Sequence, residues 1–178
     1  MVKVIFIDDN YIYQNYPLPN RMDRAALLSI ITLEQVTSVQ DLLGTTLYED
    51  LEQKVYDEDL TETELGLFKL VKYSLCLYSV KAAATFLRSA VAKTKNEEKS
   101  TDSYSLDAIV SAIDSKIEYI NKRVVNYIKA DATLLATVVA KKLHEKIKVS
   151  VFKNFGTAHF IHNNIDYEFV GARKESYR

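Results

Sequence analysis

The chain has 178 residues, 48% of them apolar, and 23 basic residues stand against 24 acidic ones. That is enough apolar material for one domain with a real core, and it excludes a disordered or fibrous chain. The near balance of charge excludes a whole-domain electrostatic grip on nucleic acid, which needs a strongly basic surface.

Val2–Ile7 is β-branched and aromatic, which predicts a short N-terminal strand. Asp8–Asn20 is irregular and rich in tyrosine, with Tyr11, Tyr13 and Tyr16 ahead of Pro17-Leu18-Pro19. It reads either as an ordered arm lying on the body or as a segment that docks on a neighbour, since Tyr is enriched in contact surfaces. Asn20 or Asp23 caps a first long helix running to about Leu43, with Ala25, Leu28, Thr32, Val36, Val39 and Leu43 near one stripe. Gly44 suits the left-handed position past a helix C-terminus. Thr46 has Glu49 three residues on, the spacing of a capping box. Leu47, Leu51 and Val55 then repeat every four residues and predict a short helix, followed by the acidic loop Tyr56–Asp59.

Thr61 and Glu64 form a second capping-box spacing and open a long helix to about Lys93. Its main stripe is Leu65, Phe68, Val71, Leu75, Tyr78, Ala82 and Phe86. Leu67, Leu70 and Leu77 widen it, as expected of the central helix of a bundle. Lys93–Ser103 is polar and reads as a loop. Ser105 is the expected cap of the next helix, whose Ile109, Ile113, Ile117, Ile120, Val124 and Ile128 step by three and four. Asp131 or Thr133 marks the break before a helix to about Lys146, with Leu135, Val139, Leu143 and Ile147 as its stripe. The tail is strand-like at Val149–Phe152, His159–His162 and Ile165–Val170, and Asn163-Asn164 suits a hairpin turn.

The expected fold class is therefore mainly α: a bundle of about four to five helices with a short N-terminal strand and a small C-terminal β element. The expected organisation is an arm over 1–20, a helical body over 21–148 and a β-rich extension over 149–178.

No pattern points to catalysis. The lone Cys76 lies in an apolar run and reads as a small core hydrophobe, which fits assembly in a reducing cytoplasm. His159 and His162, three apart on a strand, face opposite ways and do not converge on a metal. His144 reads as surface. Asp8-Asp9 follows a strand-like run, as in some magnesium sites, but no βαβ pattern follows. Lys69, Lys72, Lys81 and Arg88 interrupt the apolar helix, and their stems can cover apolar surface while the charges reach solvent. They also leave no stretch of the roughly 18 uncharged residues that a membrane helix needs. The start of the chain is too short and acidic for a signal peptide. The expectation is a soluble protein, not an enzyme, with no cofactor, no metal and no membrane partner.

The segment Gln40-Asp41-Leu42-Leu43-Gly44-Thr45-Thr46-Leu47-Tyr48 resembles the Q-x-x-LLG-x-x-LY corner of small head-completion or head-tail connector proteins of tailed phages of Bacteroides-type hosts, including crAss-like phages. A weaker likeness runs from Lys116 to Tyr127, through Tyr119-Ile120-Asn121-Lys122-Arg123-Val124-Val125-Asn126-Tyr127. The similarity spans roughly Asn20 to Asp131, and the two ends of the chain lie outside it. It implies a virion protein at the head-tail junction, assembled in the host cytoplasm as an adaptor ring of about twelve copies under the portal. Its partners would be the portal protein, neighbouring copies and further ring or tail proteins, with packaged DNA passing through the channel unread. Gly44, Thr46 and Tyr48 would be a structural corner. Tyr11, Tyr13, Tyr16, Phe152, Tyr167 and Phe169 are the candidate inter-subunit contacts. The alternative is a helical nucleic-acid-binding or regulatory module, for which a compact basic recognition helix is wanted and none is seen, or another phage structural or assembly protein.

Overall fold

A computed structural model describes residues 4–16, 18, 22–94, 101–144, 146–152 and 157–170, with the side chains of 88–94, 101–107 and 109 left outside the description. The elements are α1 (Asp9–Asn15), α2 (Arg24–Glu34), a π-helical segment (Gln35–Val39), α3 (Gln40–Leu43), α4 (Thr45–Tyr56), α5 (Glu62–Thr94), α6 (Thr101–Ala130), α7 (Ala132–Leu143), β1 (Ser150–Phe152), β2 (Thr157–His162) and β3 (Ile165–Val170). The protein is mainly helical with a small three-stranded sheet, ordered β1-β2-β3 and antiparallel throughout.

The expected N-terminal strand is not formed over the described residues 4–7. Among the described residues no strand pairs with this run, and its backbone bonds instead to Gln35 of the π-helical segment. Within the tyrosine-rich arm Asp9–Asn15 is helical rather than irregular, because Asp8 accepts a bond from the Tyr11 amide at 2.8 Å and caps α1; Pro17, Pro19 and Asn20 lie outside the described residues. Asp9, next to it, meets Arg24 at 3.2 Å. The Asp-Asp pair is thus a helix cap and a tether.

Asp23 caps α2 through the Ala26 amide, but the buried stripe is not the expected one. Leu27, Ile31, Gln35, Val39 and Leu43 face the core, whereas Val36 is partly exposed and Ala25 exposed. Steps of four residues overshoot the α-helical turn of about 3.6 residues, and a wider π turn brings Val39 back under Gln35. A polar residue in the middle of the stripe hid it from a reading based on apolar spacing.

Gly44 is the pivot between α3 and α4, at φ 75° and ψ 148°, a region that a side chain rarely enters. The Thr46 cap is not formed. α4 begins at Thr45 with Gly44 at its cap position, two residues ahead of the expected cap; Tyr48 N–H bonds to Gly44 C=O at 3.0 Å, and Gln40 Nε2 reaches Thr45 Oγ1 at 3.2 Å across the corner. The Thr61–Glu64 capping box is formed in both directions, with Thr61 N–H on Glu64 Oε2 at 3.0 Å and Glu64 N–H on Thr61 Oγ1 at 3.3 Å.

α5 runs through the core and packs along α6. Leu67, Val71, Leu75, Cys76, Leu77 and Val80 are fully buried, while Leu65 and Phe86 of the expected stripe face out. Within Glu62–Leu87 an 18-residue window reaches a mean hydropathy of 1.2, enough by length and composition to cross a membrane, but half of that window is buried within the protein. α6 supplies Ile113, Ile117, Ile120 and Val124, as expected. It begins at Thr101, ahead of the expected Ser105 cap, so Ser105 lies inside the helix; most of the expected loop falls in 95–100, outside the described residues. Asn121 joins the two helices by accepting from Ser74 Oγ at 3.0 Å and donating to Tyr78 Oη at 2.6 Å. Tyr127 crosses α5 where Gly66 leaves room, and its hydroxyl donates to Thr63 C=O at 3.0 Å; a Cβ on Gly66 would stand 2.1 Å from that oxygen.

Asp131 caps α7 through the Leu134 amide at 2.8 Å. α7 buries Ala132, Ala136 and Ala140 rather than the expected Leu135, Val139 and Leu143 stripe. The small face lets the sheet approach closely, with Ala158 and Phe160 of β2 buried beneath it. Asn163 and Asn164 take φ of 51° and 62° and turn the β2–β3 hairpin, as their composition predicts.

An alanine at position 44 meets no atom within 4 Å, so its cost is conformational alone. Gly44→Ala is expected to destabilise the protein by about 1 kcal/mol or more, read by chemical denaturation. An unchanged midpoint would remove the strained corner from the account.

Candidate functional site

Three regions gather polar chemistry or open surface. The first centres on Gln35, which is fully buried. Its side-chain amide substitutes for a neighbouring β-strand. Oε1 accepts from Phe6 N–H at 2.8 Å and Nε2 donates to Val4 C=O at 2.8 Å. The second amide hydrogen goes to Tyr48 Oη at 3.1 Å, and Tyr48 donates in turn to Glu52 at 3.0 Å. Burial, with the Glu52 carboxylate beside it, pushes the Tyr48 hydroxyl up to about 12 against the opposing pull of the Gln35 amide, so it stays a donor at ordinary pH. Phe6 is thereby seated on Tyr48 and edge-on to Phe68, with ring centres 5.8 and 5.2 Å away. Outside this network lies an open groove of about 850 Å³, walled by Leu28, Thr32, Leu33, Val36 and Glu49.

The second region is a cleft of about 510 Å³ between α4, the N-termini of α5 and α7, and the sheet. Asp50 bonds to Lys141 at 2.8 Å and pairs with Lys54 at 3.2 Å, and Lys54 also bonds to Glu64, the carboxylate of the α5 capping box. Burial alone would raise the Asp50 and Glu64 carboxyls. The ammonium groups of Lys141 and Lys54, with the Thr61 bonds at Glu64, outweigh it and hold both below the usual carboxylate range. Burial likewise opposes the charge on Lys54, and its two carboxylates overcome that and hold it above the usual lysine value. The charges are spent on one another, and what they do is tie α4 to α5 and α7. Among the described residues, no group of three or more His, Cys, Asp and Glu side chains is placed to hold a metal ion.

The third region is the sheet face turned away from α7. Phe152 stacks on His159 at 5.4 Å, and His159 contacts Asp166 at 3.2 Å. The strand register puts His162 on the opposite face from His159. Phe152, Ile161 and Val170 are largely exposed.

The residues singled out from the sequence do not converge. Tyr11, Tyr13 and Tyr16 are partly buried and pack on the main core. Lys72 lies 5.3 Å from the centre of the Tyr11 ring, and Lys116 5.0 Å from that of Tyr16. Tyr167 and Phe169 stack on Phe160, with ring centres 4.9 and 5.6 Å away. Of the six candidate contacts, Phe152 is the one whose ring is half exposed on an outer face. Lys69 faces solvent, Lys81 pairs with Asp114 at 2.6 Å, and the Arg88 side chain lies outside the described residues. Cys76 is fully buried, and burial pushes its thiol up to about 12, which leaves it unreactive. His144 is exposed at the end of α7.

Gln35 was missed from the sequence. The available signal was a polar residue four after Ile31 and four before Val39, where an apolar one was due. The Asp50–Lys54–Glu64–Lys141 cluster carried no signal beyond Lys54 lying four residues after Asp50.

With this geometry in hand, comparison with known proteins adds no identity: no family model, curated protein or solved structure matches the chain.

Removing the Gln35 amide leaves buried backbone groups of the Val4–Phe6 run without partners. Gln35→Leu is expected to cost about 2 kcal/mol or more and to speed hydrogen exchange at the Phe6 amide. Retained protection there would show that the segment is held by something else.

Asp50 and Glu64 contribute stability above their ordinary pKa range, and it is lost as pH falls through their lowered values. Lys54 contributes stability below its ordinary pKa, and it is lost as pH rises through the raised one. Asp50→Asn is therefore expected to lower Tm at neutral pH and to flatten the fall in Tm below about pH 4. Parallel acid limbs for variant and wild type would count against the pairing.

Proposed function

We propose that this chain is a structural subunit of a phage head-tail connector, which assembles as a ring under the portal, prolongs the DNA channel and receives the next ring or tail protein. The observation that carries the reading is the Gln40–Tyr48 segment. Its resemblance lies in a Gln, a Leu-Leu-Gly and a Leu-Tyr at fixed spacing, and each has a task in the fold. Gln40 bridges the corner to Thr45, Gly44 takes a backbone conformation that favours glycine, and Tyr48 joins the Gln35 network. A motif of this kind serves a rigid helical body rather than a reaction. Such a body is what a ring subunit needs, since lateral contacts repeated around a closed ring reinforce one another.

On this reading the partners are the portal, like copies and further ring or tail proteins. DNA passes through unread, and the site of action is the head-tail junction of the virion. The lateral contacts come from the sheet and the helix faces more than from Tyr11, Tyr13 and Tyr16, whose rings lie partly buried on their own body.

The test is co-assembly with the portal protein encoded in the same genome. Purified portal rings mixed with this protein are expected to sediment as a larger complex, and electron microscopy of that complex is expected to show an added layer of about twelve copies. Failure to bind portal rings, together with absence of the protein from purified virions, would overturn the reading.

A further inference from the structure

The sheet ends in two edges that no strand covers among the described residues: the outer side of β1 and the outer side of β3. Uncovered edges are templates for pairing with another chain unless something opposes it. β3 is six residues long and carries Asp166 and Glu168 on its outer face, both exposed. A two-fold pairing of β3 with its own copy sets residues of one face opposite each other. The well-overlapped registers then place Glu168 against Glu168 or Asp166 against Glu168, and like charges directly opposite are destabilising. The edge therefore rejects itself and accepts a strand with a cation on that face.

This chain carries such a strand. Lys148 is exposed and precedes β1 at the parity of Ser150 and Phe152, the outer-face residues. Val149 packs with Ala132, Ala136 and Ala158 on the inner face, so the in-out alternation of β1 already extends back to it. β1 and β3 run in the same direction, because each is antiparallel to β2. A copy related by the modest rotation of a many-membered ring presents its β1 parallel to this β3.

We propose that the segment Ile147–Phe152 of one copy pairs in parallel with β3 of the next, head to tail, so that the sheet continues from subunit to subunit. One register satisfies both faces. On the inner face, Ile147, Val149 and Val151 lie beside Ile165, Tyr167 and Phe169 of the neighbouring copy. On the outer face, Lys148 meets Asp166 and Phe152 covers Val170. This pairing buries Val151, Phe152, Ile165 and Val170, which are between 41% and 62% exposed in the single chain. It also leaves no two like charges opposite. Because the contact is heterologous, it closes into a ring when the rotation per copy permits.

The inference rests on the connector reading only for ring closure; the pairing is testable in the isolated protein. Ser150 and Glu168 are neighbours across the proposed junction, within the roughly 4.4–6.8 Å between Cα atoms that a disulfide spans. Within one copy they sit two strands apart, each paired with His159, too far to bond to each other. The native Cys76 is buried. Diamide oxidation of the Ser150→Cys, Glu168→Cys double variant is expected to give a ladder of covalent oligomers. Each single variant is expected to stay monomeric, and an equimolar mixture of the two to stop at the dimer. Adding Asp166→Lys is expected to abolish the ladder, and adding Lys148→Asp to that variant to restore it. Absence of the ladder, a dimer formed as readily by either single variant, or failure of the charge swap to restore it would overturn the proposal. A ladder from protein that does not bind portal rings leaves the pairing standing and sinks the connector reading; portal binding without a ladder does the reverse.

Discussion

The rest of the body depends on one buried amide. Gln35 sits where the helix from Arg24 widens into a π turn, and its three hydrogen bonds hold the backbone of Val4 and Phe6 and the hydroxyl of Tyr48 at once. Both amide hydrogens and the carbonyl oxygen are used. A buried polar network is stabilising when every member is satisfied and costly when one is not. That dependence couples three segments distant in sequence: the N-terminal run, the π-helical segment and α4. It also explains why Phe6 can be buried between Tyr48 and Phe68 without a strand to accept its backbone.

The Gly44 corner is what brings Tyr48 to Gln35. With α3 and α4 joined by a single residue, α4 turns so that Tyr48 reaches Gln35 of the π-helical segment, and its two sides do different work. Tyr48 and Glu52 complete the amide network, whereas Asp50 and Lys54 turn towards α5 and α7. Lys54 reaches Glu64, the residue that closes the capping box of α5, so the start of the central helix is fixed by its own sequence and by α4 together. Two further close approaches rest on small residues: Gly66, which admits Tyr127, and the alanine face of α7, which admits the sheet.

The sheet is thus held to the body by α7, on one face, while its other face and both edges stay open among the described residues. A helical body thus carries a small sheet whose edges no strand covers among the described residues. In the pairing proposed above, the charge on those edges, acidic on β3 and basic ahead of β1, is what would give the contact a direction.

Periodicity and composition were enough to determine the mainly helical class, the central place of α5, the apolar face of α6, the Thr61–Glu64 cap and the Asn163-Asn164 hairpin. Each is a local matter: a repeat, a cap or a turn acts within a few residues, and its physics is complete there. Only the tertiary structure decided which face of α2 and of α7 is buried. The first stripe is apolar but for a glutamine that serves a strand's role, and the second is made mostly of alanines, which allow a closer approach than leucines. Tertiary structure also decided that Val4–Ile7 is not a strand, since β propensity cannot supply the neighbour that a strand requires, and here the partner is the side chain of a residue about thirty positions away. The pairing of Asp50 with Lys141 was invisible for the same reason: charges 91 residues apart meet only once helices from both halves of the chain have packed.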